Sequence, residues 1–82
     1  MIHPTTEQSI TTRILRAAES ARRVLRARAE REARAAVDQQ FSGRDLNAEM
    51  IAAVGNAAID AERAERAVLI ARANYFRAHP AA

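Results

Sequence analysis

The 82-residue chain has no cysteine, no tryptophan and no lysine, and only two glycines, two prolines and three aromatic residues. Each scarcity excludes something. Without cysteine there is no disulfide and no thiolate to attack a substrate or hold a metal. Without lysine there is no amine for Schiff-base chemistry. Two glycines, Gly43 and Gly55, cannot build a glycine-rich phosphate loop. The histidines, His3 and His79, stand in opposite tails with no companion carboxylate, a poor metal-ligand set. Ser9, Ser20 and Ser42 have no neighbouring His or Lys to activate them. The expectation is a protein that is not an enzyme, with no catalytic residue, no metal, no cofactor and no small-molecule substrate.

Long hydrophobic runs are missing too. No segment approaches the ~18–20 apolar residues needed to cross a bilayer. The start, Met1-Ile2-His3-Pro4, has neither the basic nor the apolar region of a signal peptide. These features predict a cytoplasmic location without a membrane partner.

Large apolar side chains are scarce in a less obvious way. Hydrophobic residues make up 49% of the chain, but 21 of them are alanine. A fully buried Ile or Leu contributes roughly 1.5–3 kcal/mol, and alanine far less. One small domain with this inventory is marginal alone, so oligomerisation or a partner chain is expected to complete it.

What the sequence does have is helix. The prolines, Pro4 and Pro80, lie at the two ends. Thr5 and Gln8 have the spacing of a capping box. From there to Gln40 there is no Gly or Pro, and Ala, Arg, Glu and Leu dominate. Apolar positions Ile10, Ile14, Ala18, Ala21, Leu25, Ala29, Ala33 and Ala36 recur every three or four residues and predict one face of a helix over about 6–40. Gly43 sits where a helix ends in a left-handed residue. The second helix begins at Asp45 or Asn47. Asn47 suits an N-cap, with Leu46 and Ile51 placed as a hydrophobic staple. It runs to about residue 77, leaving 78–82 as a tail. Its main stripe is Met50, Val54, Ala57, Ala61, Ala64, Val68, Ala71 and Tyr75, in steps of 4-3-4-3-4-3-4, an unbroken a/d heptad pattern.

A connection of this length between long helices forces them antiparallel. The predicted fold is therefore all-α: a single domain, 1–82, forming an antiparallel two-helix hairpin, an alanine-rich coiled coil with its turn at 41–46. Gly55, inside the second helix, reads as a close approach of a neighbouring backbone, or as a hinge.

The second helix has apolar residues beyond its main stripe. Ile51, Ala58, Leu69 and Phe76 lie on one flank, Ile59 and Ile70 on another. One partner helix cannot cover them all. The candidate partner-binding residues are Ile51, Val68, Leu69, Ile70, Tyr75 and Phe76.

All thirteen basic residues are arginine, and the net charge is +3. Arg13, Arg16, Arg23, Arg31 and Arg34 share one side of the first helix, opposite the Ile10/Ile14/Ala21/Leu25 stripe. Such a ridge could follow phosphates, which makes nucleic acid an alternative partner. Two features favour a merely solvated face. Glu19–Arg23, Glu30–Arg34 and Glu62–Arg66 have the i,i+4 spacing of self-neutralising pairs, and no aromatic residue is interleaved for base stacking. Arg28 and Arg31, close to the helix-one seam, read as snorkelling or as contacting acidic groups of a partner.

The stretch Ala61-Glu62-Arg63-Ala64-Glu65-Arg66-Ala67-Val68-Leu69-Ile70, running into Tyr75-Phe76-Arg77-Ala78-His79, resembles the second helix of the small helical-hairpin co-chaperones of type III secretion needle subunits. It is acidic and polar first, then aliphatic, then aromatic-Arg. The resemblance implies a cytoplasmic protein that pairs with a second chaperone to hold a needle subunit unpolymerised. Apart from it, the residues predict a protein–protein interaction module, with a self-assembling structural protein, for example viral, as the alternative beside nucleic-acid association.

Overall fold

The computed structural model describes residues 5–80. It is a helical hairpin of two elements, α1 (Thr6–Phe41) and α2 (Ala48–Ala78), packed against each other along their length. The molecule measures 63 × 18 × 17 Å, and α1, 36 residues or roughly 54 Å at about 1.5 Å per residue, accounts for most of its length.

Local chemistry sets each boundary. Thr5 caps α1 with a complete capping box: its hydroxyl accepts from the Gln8 backbone N–H at 3.1 Å, and the Gln8 side chain accepts from the Thr5 N–H at 2.9 Å. α1 ends in a Schellman motif. Gly43 takes φ +76°, its N–H donates to the Gln40 carbonyl, and the Arg44 N–H reaches back to Gln39. Asn47 caps α2 by accepting from the Met50 N–H at 2.8 Å. The α2 end is closed by His79, whose N–H donates to the Tyr75 carbonyl and whose ring stacks on that of Tyr75 at 4.1 Å. His3 lies outside the described residues.

α2 follows the expected heptad. Ala57, Ala64, Val68 and Ala71 are buried, and Met50, Val54, Ala61 and Tyr75 are half-buried. Among the described residues Val68 is the one large side chain that is fully buried. The seam is therefore thin, as its alanines dictate.

α1 departs from expectation. Ten of its sheltered positions, Gln8, Thr11, Leu15, Ala18, Arg22, Leu25, Ala29, Glu32, Ala36 and Gln39, run in unbroken 3-4 alternation, with Ser9, Thr12, Glu19 and Ala27 sheltered beside them. Ile10, Ile14, Ala21 and Ala33 face solvent, Ile14 at 52% exposure. The expected stripe advanced in steps of 4-4-3-4-4-4-3, which drifts across a seam that requires an average of 3.5. It meets the true seam only at Ala18, Leu25, Ala29 and Ala36.

The adopted register also pairs charges across the flanks. Arg26 meets Glu65 at 2.6 Å, Arg22 reaches the same carboxylate at 3.6 Å, Arg28 meets Asp60 at 3.5 Å and Arg72 meets Glu19 at 4.0 Å. Two seam glutamines clamp the ends. Gln8 Nε2 donates to the Ala78 carbonyl at 3.0 Å, and Gln39 Nε2 to the Asp45 carbonyl at 2.8 Å.

Gly55 is not a site of close approach. A Cβ built there meets no heavy atom within 4 Å.

Candidate interaction surface

The hairpin leaves much apolar surface uncovered. Its accessible area is 6509 Å², against roughly 4,900 Å² for a compact monomer of 9.0 kDa. Its radius of gyration is 18.4 Å, where a globular chain of this length has about 12 Å. Two helices alone have no third layer to hide their outer faces.

The candidate partner-binding residues divide. Leu69 and Phe76 are 64% and 65% exposed, and Ile51 and Ile70 also face solvent. Val68 is not available: at 1% exposure it is packed in the seam against α1. Tyr75 is half-buried at the end of the same seam, between His79 and an edge-on contact with Phe76 at 5.6 Å. Both residues belong to the hairpin's own core because they lie on the 4-3 stripe that α1 covers.

Eight of the exposed residues of α2 fall on a stripe of their own. Ala52, Gly55, Ile59, Glu62, Arg66, Leu69, Ala73 and Phe76 all face solvent. Counted from Ala52 they advance in steps of 3-4-3-4-3-4-3, the spacing of a second heptad seam. At 100° per residue its centre lies about 150° around α2 from the first. α1 occupies the first seam, and the second is left to solvent. Ile59 is among the off-stripe apolar residues of the sequence but not among the candidates, and Gly55 and the two alanines carry no weight when large residues are sought. The signal was the period.

Smaller apolar patches lie elsewhere. Ile10, Ile14 and Val24 are exposed on α1, and Phe41 at its end is 87% exposed beside Val37.

Arg13, Arg16, Arg23, Arg31 and Arg34 all face solvent on α1, and none has an acidic partner within 4 Å among the described residues. Two expected helical pairs do not form at that distance. Glu19 turns to Arg72 on α2 rather than to Arg23, and Glu30–Arg34 stays open, whereas Glu62–Arg66 closes to 3.6 Å. Arg28 contacts Asp60 of this chain rather than a partner.

Among the described residues no cluster of three or more His, Asp or Glu side chains could hold a metal ion, and no helix is long and apolar enough to cross a membrane. Comparison with family models, curated proteins and solved structures finds no match to the chain.

Proposed function

We propose that this hairpin is a non-enzymatic protein–protein interaction module that works through the solvent-facing stripe of α2. The observation that carries this reading is the second heptad seam, with Ile59, Leu69 and Phe76 exposed on the side of α2 away from α1. A helix laid along it would bury those side chains as α1 buries Val68. α1 acts as a brace: it holds α2 helical and presents its far side.

Two kinds of occupant fit such a face. One is a helix of another protein, as the resemblance to needle-subunit co-chaperones implies, with a second chaperone as the partner. The other is a second copy of the chain. The outward arginines of α1 support a further reading, nucleic-acid association, because no acidic group among the described residues neutralises them within 4 Å. That reading predicts affinity falling steeply with salt and with loss of Arg16, Arg23 and Arg34.

The test is a double substitution, L69E/F76E, on the solvent face. Purified from its native host, the wild-type chain should carry a stoichiometric protein component, whether a second copy or another chain. The variant should purify as a lone hairpin of unchanged helical circular dichroism. A variant that keeps the same assembly overturns the proposal.

A further inference from the structure

We infer that the occupant of the outer α2 stripe is α2 of a second copy, lying antiparallel across a two-fold axis at the level of residue 64. The inference rests on the interaction reading above and names its partner.

The stripe is self-complementary in charge. The stripe has a single polar interruption, Glu62 and Arg66, one turn apart and joined at 3.6 Å. An antiparallel second copy centred between them sets Glu62 opposite Arg66 of the second copy, twice. A two-fold interface must match itself in this way, since the same patch serves both sides. The remaining positions then match without adjustment. Ile59 falls opposite Leu69 of the second copy, Gly55 opposite Ala73, and Ala52 opposite Phe76, so the largest ring meets a small residue. Every side chain in this set is exposed in the lone hairpin. A parallel arrangement would instead stack Glu62 on Glu62 and Arg66 on Arg66.

The flanks largely agree. Glu49 comes within two residues, about 3 Å along the axis, of the level of Arg77 of the second copy. Glu65 is turned toward α1 by Arg22 and Arg26, away from the axis. Arg63 meets its own counterpart, the one unfavourable pairing, and both Glu62 carboxylates lie within about a turn of it. The stripe from Ala52 to Phe76 runs about 36 Å at 1.5 Å per residue, more than half the molecule's 63 Å length. Because the two seams of α2 are nearly opposite, the product is a flat array of four helices ordered α1-α2-α2-α1.

The absence of cysteine makes the test clean. Ile59→Cys and Leu69→Cys are prepared as separate variants and oxidised alone and mixed. In the inferred dimer residues 59 and 69 of different copies are adjacent, whereas like positions are ten residues apart, about 15 Å, beyond disulfide reach. The mixture should therefore give a 59–69 crosslinked dimer at least tenfold faster than either variant alone. Equal crosslinking in the single-variant samples, or none in the mixture, overturns the inference. A charge test accompanies it. E62R and R66E should each be monomeric, and the doubly swapped E62R/R66E should recover the dimer; a double variant that stays monomeric while well folded contradicts the pairing. If the wild type is monomeric but L69E/F76E still strips a different protein from it, the second copy falls and the interaction reading stands. If L69E/F76E changes nothing, both fall.

Discussion

Glu62 and Arg66 form an ion pair on the outer face of α2, 3.6 Å apart and each about 70% exposed at the side chain. They sit midway along an apolar stripe that the hairpin itself does not use. An exposed i,i+4 pair contributes only about 0.3–0.5 kcal/mol to its own helix. Glu62→Ala or Arg66→Ala should thus leave hairpin stability within about 0.5 kcal/mol while lowering the fraction of associated chain. Thermal melts in the monomeric L69E/F76E background report the first, and sedimentation of the otherwise wild-type chain the second.

Val68 and Leu69 are neighbours in sequence with opposite roles. Val68 is buried between the helices, and Leu69 points away from α1. Val68→Ala should cost the hairpin about 1–3 kcal/mol, the loss of two buried methyl groups with a residual cavity. Leu69→Ala should cost the lone hairpin under about 0.5 kcal/mol and weaken association instead. Equal effects of the two on hairpin melting would contradict the assignment of faces.

The two glycines should respond in opposite directions. Gly43 has φ +76°, and a side chain there is strained by about 1–2 kcal/mol even though space is open. Gly55 is helical with nothing within 4 Å of a built Cβ, so Gly55→Ala should stabilise the lone hairpin by about 1 kcal/mol. Denaturant melts in the L69E/F76E background check both.

Arg22 occupies a seam position and reaches Glu65 at 3.6 Å. Arg26 holds the other oxygen of Glu65 at 2.6 Å, while the oxygen facing Arg22 is buried without a hydrogen-bond partner. Removing one partner of a sheltered pair leaves the other charge uncompensated. Arg22→Leu should therefore lower hairpin stability, by about 1 kcal/mol in denaturant melts of the L69E/F76E background. An unchanged or raised stability would show that Arg26 alone satisfies Glu65.

The two helices, their caps and the α2 seam were legible because each rests on local chemistry: Thr5 with Gln8, Gly43, Asn47, and a strict 4-3 repeat. The α1 seam was not, because alanine recurs so often that two registers share Ala18, Leu25, Ala29 and Ala36. Bulk favoured Ile10 and Ile14. The flanking pairs of Arg26 with Glu65 and Arg28 with Asp60 lie with the other register, and they become visible only when the two helices are aligned against each other. The same bias toward large side chains put Val68 among the partner-binding residues and hid the stripe through Ala52, Gly55 and Ala73.

The most direct measurement is the solution mass of the wild-type chain by light scattering across a range of concentrations, beside R66E. The account predicts twice the 9.0 kDa chain mass for the wild type and a return to the single-chain mass for R66E. A wild-type chain at 9.0 kDa throughout, or an R66E variant with undiminished association, would contradict it.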